Sequence, residues 1–97
     1  MIVRVFRAQI RPGHHAEFER KFREVSLPLV LAQPGIVSAT IGRPVPSSPD
    51  EFVVISTWAD TDSLHCFAGE DYTAPVIPSV MEQYMIASWV HHYEVIQ

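Results

Sequence analysis

Residues 52–58 read Phe-Val-Val-Ile-Ser-Thr-Trp, and the fold turns on how their side chains divide. β-Branched and aromatic residues at this density make a strand. Successive strand residues point to opposite faces, so Phe52 and Val54 share one face, Val53 and Ile55 share the other, and Trp58 closes the run. An antiparallel sheet with one wet side would alternate apolar with polar residues. This strand asks for cover on both.

Working outward, residues 36–43 (Ile-Val-Ser-Ala-Thr-Ile-Gly-Arg) read as a second strand, joined to 52–58 by the proline-rich loop from Pro44 to Asp50. On the other side, Asp60 is a natural helix cap, Leu64, Phe67 and Ala68 form an apolar stripe, and Gly69 is a stop. Residues 2–10 make an opening strand ended by Pro12-Gly13. Ile2, Arg4, Phe6, Ala8 and Ile10 share one of its faces; Val3, Val5, Arg7 and Gln9 share the other.

From His14 to Ala32 the period becomes helical, with Phe18, Phe22, Val25 and Leu29 at steps of four, three and four. Pro28 has no amide proton to donate, which predicts a kink, or a fresh turn capped by Ser26. Residues 70–79 show no clear period. Ser79 to Glu82 has capping-box spacing and predicts a short helix to Met85, and residues 88–96 give a last strand.

The order β-α-β-β-α-β predicts an α+β, ferredoxin-like fold: a four-stranded antiparallel sheet with two helices on one face. The other face is left for a second copy of the chain, so a homodimer packed sheet to sheet is expected.

At 97 residues the chain is one domain, 1–97, and with 47% hydrophobic residues it affords one small core. All seven Lys and Arg lie within residues 4–43, and eight of eleven acidic residues within 50–94. A net charge of −4 argues against nucleic acid as a partner. In the expected sheet the first strand lies between the third and fourth, so Arg4 and Arg7 run beside strands flanked by Glu51 and Glu94, and charges separated along the sequence are expected to interleave in space and to pair across elements and, in a dimer, across subunits. Cys66 is the sole cysteine, and no apolar run approaches the roughly 20 residues a membrane helix needs, so a cytoplasmic protein with no membrane partner is expected.

The chain resembles the antibiotic biosynthesis monooxygenase family over nearly its whole length. The resemblance rests on Arg11-Pro12-Gly13 after the first strand, Glu17-Phe18 in the helix, Gln33-Pro34-Gly35, Trp58-Ala59-Asp60 and Leu64-x-x-Phe67. It implies a dimeric α+β barrel with a ligand pocket between the helices and the sheet of each subunit. Activities in the family include cofactor-free oxidation of polycyclic aromatics or quinols, and haem degradation. Haem-degrading relatives carry an Asn, a Trp and an iron-ligating His where this chain has Phe6, Phe67 and Ile77. Haem chemistry of that type is not implied. The paired histidines of the quinol-type pattern align with Phe67 and Tyr72.

Candidate pocket residues are Phe6, Trp58, His65, Phe67, Tyr72, His92 and Tyr93. Metal-free oxygenation needs a base to ionise a phenol or quinol and donors to steady the oxyanion. His92 is the candidate base, since imidazole titrates near neutral pH, and Tyr72 is the second catalytic candidate. His91 and His92 point to opposite faces and cannot chelate one metal, with His91, Trp89 and Tyr93 sharing the side that could face the dimer. His65 and Cys66 do not face each other on a helix. His14 and His15 near Glu17 and Glu19 sit in an exposed first turn, so no metal and no cofactor is expected. Phe18, Phe22 and Phe52 are assigned to the core; Met81, Tyr84 and Met85 either form a lid or pack an edge.

Two functions remain. One is a cofactor-independent monooxygenase acting on a small aromatic or quinol; the other is a non-catalytic dimeric module of the same fold that binds a small ligand or serves a stress-related role. The enzyme requires a helix–sheet cavity with His92 or Tyr72 exposed inside it.

Overall fold

The computed structural model describes residues 1–96. Four strands, β1 (Ile2–Ile10), β2 (Ile36–Gly42), β3 (Glu51–Trp58) and β4 (Met85–Glu94), form one antiparallel sheet in the order β2-β3-β1-β4. This is the predicted ferredoxin-like α+β topology. β4 begins three residues before the expected position, directly after a 3₁₀ helix at Ser79–Tyr84. Ser79 does not cap that helix: Pro78 takes the cap position, so Ser79 lies inside the first turn and no side chain closes the end.

The first helix does not break at Pro28: a new α segment starts there with Ser26 in the cap position and Pro28 in its first turn, although the Ser26 side chain makes no capping bond. It runs as α1 (His15–Lys21), a π-helical turn (Phe22–Ser26) and α2 (Leu27–Leu31) without a gap. In a regular α-helix the Pro28 ring would press on the carbonyl of Glu24. The wider turn relieves this, with the Leu27 amide reaching back five residues to the Phe22 carbonyl. One extra residue in the turn also rotates everything after it. The inward row is therefore Phe18, Phe22, Ser26 and Val30, all buried, while Val25 is half-buried and Leu29 exposed.

α3 (Thr61–Ala68) starts where predicted. Asp60 Oδ1 accepts from the Ser63 amide (2.8 Å) and hydroxyl (2.7 Å), and these bonds hold its carboxyl below the usual range. The two helical segments meet the sheet at Gly35, whose φ of +81° suits glycine and whose carbonyl accepts from Ala59 N at 2.8 Å. A Cβ there would lie 2.0 Å from Ser63 Oγ.

The core lies between the helices and one face of the sheet. Phe18 meets Phe22 and Phe52 with ring centroids 4.9 Å apart in each case, and Tyr84 and Met81 are buried beside them, packing an edge. A second cluster joins Val30, Trp58 and Leu64. The opposite face carries Val5, Arg7, Val53, Ile55, Trp89, His91 and Tyr93, with Ile55, Trp89 and Tyr93 all exposed. Among the described residues no helix is long and apolar enough to cross a membrane.

The charges do not interleave as predicted. Glu19 takes a bidentate pair from Arg43 (2.9 and 3.0 Å) and a looser one from Arg23, while His15 meets Asp50 at 2.9 Å. Arg4 and Arg7 meet no carboxylate among the described residues. The register explains it: Glu51 stands opposite Gln9 and Glu94 opposite Ile2, at the ends of the strands.

Candidate functional site

The helix-covered face of β1 is apolar except at Arg4, and that of β3 except at Ser56, its partner in the register. Above these two, the π-helical turn brings Ser26 inward. Between them runs a cleft of about 510 Å³, counted out to its open mouth. Phe6, Val54 and Met85 floor it, Phe22 and Val30 roof it, and Phe67 and the 76–78 segment close the sides. Inside the mouth the slot is narrow, so a ring-sized guest must push side chains apart. An apolar lining with a few polar groups is the character of a small-molecule site, although in this conformation the slot is closed down to less than a ligand's volume.

Arg4 is the one charged residue in that lining, and only 3% of its surface is exposed. Its Nη1 donates to the Tyr72 carbonyl (2.6 Å) and lies 3.0 Å from His92 Nε2, and its Nη2 donates to the Ala74 carbonyl (3.1 Å). The guanidinium thereby ties the 70–78 loop to the sheet, and it lies 5.8 Å from the centre of the Phe67 ring. Burial pulls its pKa down to about 10, which leaves it a cation at neutral pH.

That cation fixes the state of His92. An arginine offers only hydrogens, so His92 Nε2 accepts and the ring proton sits on Nδ1. Burial, then the Arg4 charge, then His91 lower the pKa of His92 and favour its neutral form. Tyr72 packs edge-on against His92 with ring centroids 4.8 Å apart, and His65 lies 5.0 Å from Tyr72. The predicted residues thus form two groups. His65, Tyr72 and His92 make one stack, and Tyr72 and His92 line a second, shallower groove of about 410 Å³ beside Leu64 and Thr61, not the helix–sheet cleft in which the enzyme was expected to expose one of them. Phe6 and Phe67 line the main cleft, and Trp58 lies fully buried beneath Phe67, stacked on it at 5.1 Å. Arg4 stands between the two groups and touches both.

Tyr93 belongs to neither core nor cleft: it sits on the far side of the sheet, 58% exposed, and only reaches the rim of the groove. Sequence reasoning left out Arg4, Ser26 and Ser56. Arg4 and Ser56 had a signal, since each interrupts an apolar row at strand period. Ser26 had none that helical period could supply.

A model of the antibiotic biosynthesis monooxygenase family matches residues 1–73. The chain belongs to that family. The matched part includes β1 to α3 and reaches Tyr72, so Arg4, Ser26, Ser56 and Phe67 all lie within it. No curated protein matches the sequence. Among solved structures, the antibiotic biosynthesis monooxygenase family fold recurs in a mutant of SnoaB, a cofactor-independent oxygenase from Streptomyces nogalater. It shares 21% identity over 99% of this chain and 93% of that one, with a TM-score of 0.75. An antibiotic biosynthesis monooxygenase at 15% identity covers 100% of both chains with a TM-score of 0.76. A mutant of MhuD with two manganese protoporphyrin IX bound per active site reaches 17% identity over 100% of this chain and 96% of that one, with a TM-score of 0.74. At these identities the likeness is one of fold.

Proposed function

We propose that this protein is a cofactor-independent monooxygenase that oxidises a small aromatic or quinol in the helix–sheet cleft of a homodimer. One observation carries this: in a member of the monooxygenase family, an apolar cleft between helices and sheet holds a single buried cation where a developing oxyanion would need one. The substrate ring lies against Phe6 and Phe67, and Phe67 is braced from behind by Trp58. Arg4 donates to the ring oxygen and favours its ionised form. Arg4 separates His92 from the cleft, so the Nε2 lone pair of His92 takes the phenolic proton only when the substrate draws Nη1 off it while the loop carbonyls stay bound, with Tyr72 holding the imidazole in place.

Dioxygen is the oxidant. The substrate supplies the electrons, losing two hydrogens; one oxygen atom enters the product and the other leaves as water. The exposed apolar side of the sheet is covered by the second subunit, which keeps Ile55, Trp89 and Tyr93 from water. Oxygen uptake with a panel of hydroquinones tests the enzyme. Wild type should consume oxygen, and His92→Ala should lose about 10²-fold or more of that rate, the usual share of a general base.

A second function has an observation of its own. The His92 lone pair is engaged by Arg4, and no carboxylate or imidazole lines the cleft, which suits a dimeric module that binds a small ligand without transforming it. No uptake above background with any hydroquinone would select it.

A further inference from the structure

The donors of Arg4 can be counted. Of five N–H groups, Nη1 spends two on the Tyr72 carbonyl and His92 Nε2, and Nη2 spends one on the Ala74 carbonyl. The Nε–H and one Nη2–H remain with no protein partner among the described residues, and Nε and Nη2 share one edge of the planar group. A buried guanidinium without a carboxylate is costly, and two adjacent free donors are the fork that grips a carboxylate in bidentate fashion. The other polar groups of the cleft are also able to donate: Ser56 Oγ accepts from Trp58 Nε1 at 2.9 Å, which leaves its own hydrogen free, and Ser26 adds a second hydroxyl. Among the described residues no acidic side chain lines the cleft, so its walls carry one positive charge against an apolar surround.

We infer that the cleft selects an apolar, ring-bearing monocarboxylate, with the carboxylate seated on the free edge of Arg4 and the ring against Phe67. This rests on the cleft being the ligand site proposed above, and it narrows the ligand from aromatic or quinol compounds in general to aromatic acids. Arg4 is then the residue that sets specificity by charge, and it does so without letting go of the loop carbonyls.

Calorimetric titration of the 97-residue protein at neutral pH with three probes of one shape tests it: 2-naphthoate, the neutral 2-naphthamide and 2-naphthol. The acid should bind about tenfold or more tighter than either neutral probe, as expected for a desolvated bidentate pair. Arg4→Gln should remove that preference while Arg4→Lys, which keeps the charge and loses the fork, retains part of it. The wild-type comparison stands alone if the variants fail to fold. Equal binding of the acid and the amide, tighter binding of the naphthol, or a preference that survives in Arg4→Gln would each overturn the inference, as would the absence of binding by all three. The oxygen-uptake assay reports separately: an acid that binds in a protein that consumes no oxygen with any substrate leaves the carboxylate site standing and removes the monooxygenase.

Discussion

Arg4 and Arg7 lie on the same strand and face opposite sides of the sheet, and their surroundings differ in kind. Arg4 is enclosed by helices and loop, meets three acceptors and gives its charge to a cleft. Arg7 lies 5.9 Å from the centre of the Trp89 ring, and its Nε is shut off from water with no partner. The covered face is an enclosed cleft in which a polar group interrupts an apolar floor. The open face is the reverse, an apolar surface around Val5, Val53 and Ile55 that includes an arginine whose Nε meets no acceptor among the described residues. A buried donor without an acceptor costs about 1–3 kcal/mol, so Arg7 favours any cover that brings one. The contrast shows what alternation in a strand encodes: one periodicity builds an enclosed cleft with a buried cation on one side and an exposed apolar surface on the other.

The strongest way to break the contrast is to truncate one residue on each face of β3. Trp58→Ala removes a fully buried ring braced by Phe67 and Leu64, and should cost about 3–5 kcal/mol of stability, a large part of what a small domain has. Ile55→Ala, at a residue 41% exposed, should cost about 1 kcal/mol or less in the single chain. Urea unfolding at low concentration measures both. Comparable losses would mean that the open face is as much a core as the covered one.

A charge sharpens the same comparison. Ile55 stands opposite Val5 on β1 and Thr40 on β2, near the middle of the open face. Ile55→Glu should leave the subunit folded, with unchanged far-ultraviolet circular dichroism, yet separate the dimer. Light scattering after size exclusion should fall from about twice the 11.0 kDa chain mass to that mass. Wild type already running as a monomer at micromolar concentration would remove the dimer altogether.

How far the sequence disclosed these two faces follows from which physical rule each feature obeys. The strand order, the faces of β1 and β3 and the cap at Asp60 follow local rules of alternation and hydrogen bonding, and they were legible. So was the presence of Arg4 within the apolar row, although its purpose appears only when Ser56 and His92 are set beside it by register. The inward turn of Ser26 was not legible. A helical stripe at Phe18, Phe22, Val25 and Leu29 assumes 3.6 residues per turn throughout, and a wide turn ahead of Pro28 shifts the later positions by one. Charge pairing was also misjudged, because composition says nothing of where along a strand a carboxylate stands. Glu51 and Glu94 lie at strand ends, out of reach of the arginines they were matched with.

The subtlest difference between the faces lies in their histidines, neighbours on β4. His92 turns inward and faces Arg4 of β1 and Tyr72 of the loop, with His91 adjacent on its own strand; His91 itself lies exposed on the open side. The pKa of His92 is lowered, so the unfolded chain binds a proton at a pH where the folded chain refuses it. Stability then rises with pH across that interval. The contribution of His92 is intact above about pH 6.5, the value for an unperturbed imidazole, and is lost as pH falls below it, levelling off only beneath the folded pKa. Protonation there would place two cations about a hydrogen bond apart and loosen the Arg4 hold on the Tyr72 and Ala74 carbonyls. His92→Gln keeps an oxygen that accepts from Arg4 and does not titrate. Its melting temperature should decline less than that of wild type between pH 7.5 and 5, while His91→Gln, which removes only the smallest of the three influences on His92, should stay closer to the wild-type curve. Parallel curves for all three would show that Arg4 holds the loop independently of the charge on His92, and that the link between its two neighbouring groups is steric alone.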